Sequence, residues 1–206
     1  MRIGLDFDNT IVSYDGLFHQ VARERGLIPE GLPETKLAVR DHLRAIGQEP
    51  VWTEMQGYVY GARMLEARAF VGVTAFLSWA QRQGIEVAIV SHKTRHPFIG
   101  PPYDLHAIAR EWVRLHLSEG GRPLILEERV FFELTKEEKL ARIAAGGFDL
   151  FLDDLPEILT APAFPAATLP VLFDPARSTP APPGTARVCD WAGLREMVGA
   201  RWMQTS

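Results

Sequence analysis

The sequence has little of what marks several large classes of protein. It contains a single cysteine, Cys189, so no disulfide can form within the chain and we expect a reducing compartment. No uncharged apolar run reaches about 18 residues, which predicts no transmembrane helix and no membrane partner. The formal net charge is −4 and no basic tract stands out, so we expect no binding to nucleic acid.

The amino terminus lacks a charged segment followed by a longer apolar one, so we expect no signal peptide and a cytoplasmic protein. Of the 206 residues, 47% are hydrophobic. A chain of this size and composition can form one core of roughly 150 residues plus an accessory piece. The sequence is compatible with either a monomer or a homodimer.

Apolar runs of strand length alternate with patterns of helical spacing along most of the chain. Strands are predicted at residues 3–7, 85–90, 129–133, 148–152 and 167–173. Helices are predicted at residues 73–82, 105–117, 136–145, 155–159 and 191–198. This alternation is typical of a parallel sheet with helices on both faces, so we expect a three-layer, Rossmann-like α/β core. Such sheets bind ligands at the carboxyl ends of their strands.

The segment 14–67 breaks the alternation, because its patterns predict only helices, at 17–25, 36–46 and 51–65. We interpret it as a small all-helical cap inserted into a core formed by residues 1–13 and 68–206. Apolar and aromatic residues recur in it at near-helical spacing, at Trp52, Met55, Tyr58, Val59 and Met64. We expect this stripe to pack inside a small helical domain.

The first apolar run leads directly into the segment Asp6-Phe7-Asp8-Asn9-Thr10. On a strand, Asp6 and Asp8 leave the same side of the chain. Two carboxylates side by side at the end of a strand are costly unless a cation joins them. A hard cation with oxygen ligands, most simply Mg²⁺, is the usual solution.

Further polar residues follow other predicted strands or begin predicted helices. Ser91 comes directly after the second strand, and Asp153-Asp154 comes directly after the fourth. Lys136 and Lys139 lie at the start of the helix before that fourth strand. If the strands are parallel, all of these residues converge on one edge of the sheet.

This order of motifs resembles the haloacid dehalogenase superfamily, whose members are mostly magnesium-dependent phosphatases. The opening segment is similar to the family's Asp-x-Asp-x-Thr motif. Ser91 matches the second motif, Lys139 the third, and Asp153-Asp154 the fourth. The resemblance implies a magnesium-dependent phosphomonoester hydrolase that acts on a small phosphorylated metabolite through an aspartyl-phosphate.

The resemblance also implies a role for each matching residue. Asp6 would be the nucleophile, and Asp8 would be the general acid and then the base for the attacking water. Lys139 would supply fixed positive charge as a catalytic residue. The metal ligands would be Asp6, Asp8 through its backbone carbonyl, Asp153 and Asp154. The phosphoryl oxygens would be bound by Asn9, Thr10, Ser91 and His92.

Several alternatives stay open at this point. We prefer Lys139 to Lys136 because it precedes an apolar stretch, and because Thr135 and Glu138 predict a capping box that places Lys136 in solvent. The loop from His92 to Tyr103 is either a plain surface loop or a site where Lys93 and Arg95 bind a second anionic group.

The function has alternatives too. The runner-up is a nucleoside 5′-monophosphatase, which would stack the base on cap aromatics such as Trp52, Tyr58 and Tyr60. An alternative of another class is a non-catalytic binding or regulatory protein on the same fold. A third interpretation is a phosphotransferase or a nucleic-acid end-processing enzyme. The net negative charge and the predicted cap disfavour it, because both argue against a polymeric substrate.

Overall fold

The computed structural model describes residues 1–205, and side chains as far as residue 201. Its strands are β1 (Arg2–Leu5), β2 (Val12–Ser13), β3 (Arg68–Ala69), β4 (Glu86–His92), β5 (Ser118–Glu119), β6 (Arg122–Pro123), β7 (Val130–Glu133), β8 (Leu150–Asp153), β9 (Leu169–Phe173) and β10 (Ala186–Val188). Its α-helices are α1 (Asp15–Glu24), α2 (Lys36–Ala45), α3 (Glu49–Tyr60), α4 (Val73–Arg82), α5 (Leu105–His116), α6 (Lys136–Gly146), α7 (Pro156–Leu159) and α8 (Trp191–Thr205). Short 3-10 helices cover Met64–Glu66 and Glu127–Arg129. Among the described residues, no helix is both long and apolar enough to cross a membrane.

Six strands form a single sheet in the order β10-β9-β8-β1-β4-β7, and each neighbouring pair is parallel. The predicted α/β, Rossmann-like class is therefore confirmed. The first strand lies between β4, which follows it in the chain, and β8, which comes later. The chain thus adds strands on both sides of β1, which makes its carboxyl end the usual ligand position in such sheets.

Side chains of successive residues on each strand point to opposite faces of this sheet, and helices cover both faces. On one face, Val90 and Phe151 pack in one core cluster with Ile143 of α6. On the other face, Phe173 of β9 contacts Trp191 of α8, with ring centroids 6.2 Å apart. Trp191 in turn contacts Phe76 of α4 at 5.3 Å. The contacts on the two faces remove apolar surface from water. This burial is the main stabilising contribution of the core.

The chain divides into two compact units. The first contains Met1–Ile11, Ala69–His92 and the described chain from Leu117 onward, and it includes the whole six-stranded sheet. The second contains Val12–Arg68 together with Lys93–His116, so α5 belongs to the same unit as α1, α2 and α3. Sequence patterns alone gave no reason to join the segment 93–116 to the inserted helices. That the insertion acts as a cap stays a prediction.

The second unit has its own apolar interior. Trp52 is 2% exposed, and its ring lies 5.0 Å from that of Phe18. Met55, Val59 and Met64 have no exposed surface. The prediction that this stripe packs inside a helical domain is confirmed for these residues, whereas Tyr58 is only half-buried and carries Arg25 over its ring at 4.2 Å.

Several predicted boundaries are wrong, each for a local reason. The strand predicted at 3–7 ends at Leu5, because the chain turns after it: Ile11 N donates to Phe7 O at 3.0 Å. The helix predicted at 51–65 ends at Tyr60, because Gly61 leaves the helical conformation with a ψ of −93°.

The second strand extends further than predicted and includes Ser91 rather than ending before it. An additional strand, β10, was not predicted at all. This strand lies at the edge of the sheet and pairs with β9. It has only three residues and follows a proline-rich connection, so its sequence shows no periodicity from which a strand could be predicted.

Candidate active site

Three strands bring the acidic and hydroxyl groups together at one edge of the sheet. Leu5 of β1 pairs with Leu152 on one side and with Ile89 on the other. Asp6 comes next in the chain, and its backbone N–H extends the ladder by donating to Leu152 O at 2.8 Å. The register therefore places Asp6 beside Asp153, at the carboxyl ends of neighbouring parallel strands.

Helix α6 supplies the cation of this site. Lys139 Nζ lies 2.6 Å from Asp6 Oδ1 and 2.6 Å from Asp153 Oδ2, and the lysine is 1% exposed. The predicted capping box is present: Thr135 Oγ1 accepts from Glu138 N, and Glu138 Oε2 accepts from Thr135 N, each at 3.1 Å. This cap fixes the first turn of α6, which orients the following turn that carries Lys139.

Lys136 has a different environment, although it is only three residues away. Its side chain is 47% exposed, and its Nζ forms an ion pair with Glu157 at 3.2 Å. The structure thus brings Lys139, and not Lys136, to the two aspartates.

The charges at this edge do not balance. Burial lowers the pKa of Lys139, but the charges of Asp6 and Asp153 outweigh it and raise that pKa, so the ammonium stays protonated. Burial raises the pKa of Asp153, and the charge of Asp6 adds to the rise, while Lys139 opposes it. Two buried carboxylates therefore share one ammonium, and a further cation would offset the excess negative charge.

A group of three carboxylates offers ligands for such a cation. One oxygen each from Asp6, Asp153 and Asp154 lies within 4.8 Å of the others. Leu155 N donates to Asp153 Oδ1 at 3.0 Å, which orients that carboxylate. A set of hard oxygen donors around a buried negative charge fits a divalent cation such as Mg²⁺. The side chain of Asp8 is not in this group among the described residues, and its backbone carbonyl as a ligand stays a prediction.

Ser91 fixes the orientation of Asp6. Its Oγ donates to Asp6 Oδ1 at 2.9 Å, and the serine is 1% exposed. Lys139 donates to the same oxygen. Both hydrogen bonds are accepted by Oδ1 of this carboxylate.

His92 follows Ser91 and is half-buried beside the same charges. Burial lowers its pKa, and the charges of Lys139 and Lys136 lower it further, against the opposing effect of Asp6 and Asp8. The imidazole is therefore neutral over more of the pH range than a free histidine, and in that form it can donate one hydrogen bond and accept another.

The turn after Asp6 contains the two remaining residues expected to bind phosphate. Asn9 has a φ of 59°, a left-handed conformation that asparagine tolerates better than most residues. Thr10 is fully buried, and its hydroxyl has no hydrogen-bond partner in the described part of the chain. A buried hydroxyl without a partner is costly, so it is available as a donor to a bound anion.

In the loop after β4, for which a plain surface loop and an anion-binding role both stayed open, Lys93 and Arg95 have different surroundings. Arg95 pairs with Asp104 at 2.9 Å and its side chain is 60% exposed. Lys93 is 5% exposed, and its Nζ lies 4.8 Å from the ring centroid of Tyr60. The sequence gave no signal for this contact, because the two residues are far apart in the chain and belong to no shared motif.

No family model and no curated protein sequence matches this chain. Solved structures match it at low identity. A HAD family hydrolase from Deinococcus radiodurans R1, with bound phosphate and sodium, is 16% identical with a TM-score of 0.55, and the match covers 97% of this chain and 95% of that one. A predicted phosphoglycolate phosphatase from Haemophilus somnus 129pt is 14% identical with a TM-score of 0.56, covering 95% and 96%.

A third structure, the archaeal β-phosphoglucomutase from Pyrococcus sp. strain ST 04, is 15% identical with a TM-score of 0.54, covering 97% and 99%. Identities this low establish a shared fold. This chain therefore shares its fold with these three solved structures, one of which is named as a HAD family hydrolase.

Proposed function

We propose that this chain is a magnesium-dependent phosphomonoester hydrolase that acts on a small phosphorylated metabolite. The observation that carries the proposal is the position of Lys139, whose ammonium lies 2.6 Å from both Asp6 and Asp153 beside a third carboxylate. A fixed cation and a set of hard-cation ligands around one oriented carboxylate suit attack on a phosphoryl group.

The reaction proceeds in two displacements. Asp6 Oδ2 forms a bond to phosphorus while the bond from phosphorus to the ester oxygen breaks, and Asp8 gives its proton to the departing alkoxide. Asp8 then takes a proton from water as the water oxygen bonds to phosphorus. The bond between phosphorus and Asp6 breaks, which releases inorganic phosphate and restores both carboxylates to their starting states.

Other residues hold the reacting groups in place. Ser91 and Lys139 keep the Asp6 carboxylate in one orientation. Asn9, Thr10 and His92 supply donors to the phosphoryl oxygens. Magnesium bound by the three carboxylates and the Asp8 carbonyl would offset the repulsion between the two anions that must meet.

Two features support the proposed substrate class: the second compact unit and the negative net charge of the chain. We propose that the second unit is the cap that limits substrates to small molecules. The net charge of −4 disfavours nucleic-acid substrates. Two of the solved neighbours carry names of activities on small phosphorylated compounds, a phosphoglycolate phosphatase and a β-phosphoglucomutase. The nucleoside 5′-monophosphate alternative is weakened, because the ring of Trp52 is buried against Phe18.

Phosphate release from a panel of small phosphomonoesters tests the proposal. We expect release that EDTA abolishes and Mg²⁺ restores, and that falls by at least about a thousandfold in Asp6→Asn. Asp41→Asn, an exposed aspartate paired with Arg40, is the matched control and should retain the wild-type rate. Release that survives chelation would contradict the metal role, and equal release by Asp6→Asn would contradict the nucleophile. Release from no ester would favour a binding protein.

A further inference from the structure

Gly4 of β1 leaves a gap on the face of the sheet that α6 covers. It pairs with Ala88 of β4 on one side and with Phe151 of β8 on the other, so the three residues share one face of the sheet. A Cβ atom on Gly4 would lie 2.8 Å from Phe151 Cε2, and it would be closer still to Cδ2 of the same ring. The ring of Phe151 therefore occupies the space that a side chain at position 4 would need.

A glycine at this position lowers the stability of the strand itself. Glycine has no side chain to pack, and it loses more conformational freedom on folding than other residues. In a strand it is typical of a place where another group approaches the backbone closely. At Gly4 that group is the fully buried ring of Phe151. The close approach of the ring is thus the structural reason for a glycine in β1.

The same ring lies against the lysine of the candidate active site. Lys139 Nζ is 5.7 Å from the centroid of the Phe151 ring, which is within the range of a cation–π interaction. The two residues approach because α6 packs on this face, and Leu140, next to Lys139, lies in the same buried cluster as Phe151. Lys139 is 1% exposed, and the attraction between a cation and a ring is stronger where water is excluded.

The ring adds a third contact to those that the carboxylates make with the ammonium. A lysine ammonium has three N–H donors. Among the described residues, Nζ donates to two oxygens, Asp6 Oδ1 and Asp153 Oδ2, each at 2.6 Å. The negative face of an aromatic ring attracts the ammonium without neutralising its charge. The carboxylates and the ring together restrict where the end of this long, flexible side chain can lie.

We propose that Gly4 and Phe151 are positioning residues for Lys139. The glycine makes room for the ring, and the ring holds the ammonium where it contacts both carboxylates. This inference rests on the proposed function, in which Lys139 keeps the Asp6 carboxylate in one orientation. Because the two residues act through Lys139, they should affect the rate of phosphoryl transfer more than the binding of the ester.

Steady-state phosphate release with Mg²⁺ separates positioning from packing. Phe151→Leu keeps an apolar side chain but removes the ring, so kcat should fall at least about tenfold while KM changes by less than about twofold. Phe148→Leu is the matched control, because Phe148 lies in the same buried cluster and its ring is 6.1 Å from that of Phe151. This control should keep its kcat within about twofold. A kcat that falls equally in both variants, or in neither, would overturn the inference.

Gly4→Ala tests whether the gap in β1 matters to the lysine. The added methyl group should displace the ring, so kcat should fall although no group that contacts the substrate has changed. Phe151→Leu in the same protein leaves room for the methyl group, so the double variant should regain stability in urea unfolding but not kcat. An unchanged kcat in Gly4→Ala, no gain of stability in the double variant, or recovery of kcat there would contradict the inference.

A double-mutant cycle of Lys139→Met and Phe151→Leu measures the contact without turnover. From urea unfolding without Mg²⁺, we expect the two changes to be coupled at least about fivefold in the unfolding equilibrium constant. Lys139→Met and Phe148→Leu should be additive within about twofold. Sucrose at one fixed concentration keeps the least stable variant folded before urea is added. If Phe151→Leu does not fold, Phe151→Met takes its place, because methionine adapts to irregular space.

These outcomes are separable from the test of the hydrolase activity. Hydrolysis that depends on Asp6, together with equal coupling in the two cycles, would overturn this inference alone. Coupling that is specific to Phe151 in a protein that hydrolyses no ester would support the positioning of Lys139 and overturn the proposed reaction.

Discussion

Lys136 and Lys139 are three residues apart in one helix, but their side chains differ in burial and in ion-pair partners. Three residues advance a helix by about 4.5 Å, so Lys136 lies at the start of α6 and Lys139 lies one turn deeper. The capping box fixes that register, since Thr135 must begin the helix. As a result, the side chain of Lys136 is 47% exposed, whereas that of Lys139 is 2% exposed. The sequence favours this difference but does not reveal that Lys139 bridges two carboxylates.

Replacing each lysine by methionine should give very different results. Lys139→Met leaves Asp6 and Asp153 buried without their shared cation, so the free energy of unfolding without Mg²⁺ should fall by about 3–5 kcal/mol. Lys136→Met removes one exposed ion pair and should cost less than about 1 kcal/mol. Urea unfolding gives both values, and phosphate release should fall by orders of magnitude only in Lys139→Met. Similar losses in the two variants would contradict the assignment of the bridging lysine.

At the scale of elements, glycines let a helix and a loop of the second unit approach closely. A Cβ atom on Gly57 of α3 would lie 2.6 Å from Pro97 Cβ and 3.0 Å from Ile99 O. Since backbone contributes to this contact, the loop would have to move to accept a side chain. By contrast, Gly16 near the start of α1 has open space around its missing Cβ.

Alanine at the two glycines should therefore change stability in opposite directions. Gly57→Ala should lower the free energy of unfolding by about 1–3 kcal/mol, because it overpacks the contact with Pro97. Gly16→Ala should raise it by about 0.5–1 kcal/mol, because alanine restricts the unfolded chain and favours the helix. Chemical denaturation of both variants gives the comparison. A neutral or stabilising Gly57→Ala would mean that the loop does not pack on α3 in solution.

Secondary structure was predictable where the sequence carries a local signal. The amphipathic pattern predicted α4 with its observed bounds, Val73–Arg82. The capping box located the start of α6. The end of α3 was missed, because the apolar residues Met64 and Leu65 continue the pattern beyond Tyr60, where the helix ends. Strand β10 was missed for a similar reason, since its only support is pairing with β9.

At the scale of the whole molecule, the same distinction separates contacts at the edge of the sheet from contacts within the second unit. Convergence of Asp6, Ser91 and Asp153 was predictable, because each residue is at or near the carboxyl end of a strand and parallel strands share that edge. The meeting of Lys36 and Lys93 at Tyr60 was not, because it depends on how helices of the second unit pack. Local pattern therefore locates residues at the edge of a known type of sheet, whereas contacts within the second unit are seen only in the tertiary structure.

The stability of the whole protein should couple metal binding to pH through Asp153. Burial raises the pKa of this carboxyl above its value in the unfolded chain. Without metal, the stability that its protonated form contributes is present at low pH and is lost as pH rises through the folded-state pKa. Mg²⁺ requires the carboxylate form, so protons and metal compete for the same group. The stabilisation that Mg²⁺ gives should consequently grow as pH rises from mildly acidic to mildly alkaline.

Thermal unfolding with and without Mg²⁺ over that pH range measures the coupling. At a metal concentration about a hundredfold above the dissociation constant, we expect about 2.7 kcal/mol of stabilisation at the alkaline end and less at the acidic end. Sodium chloride at matched ionic strength controls for screening of surface charges. Asp154→Asn should reduce the Mg²⁺ effect at every pH, because it removes one of the three carboxylates. A Tm increase that stays constant or shrinks as pH rises would show that Asp153 does not hold the metal.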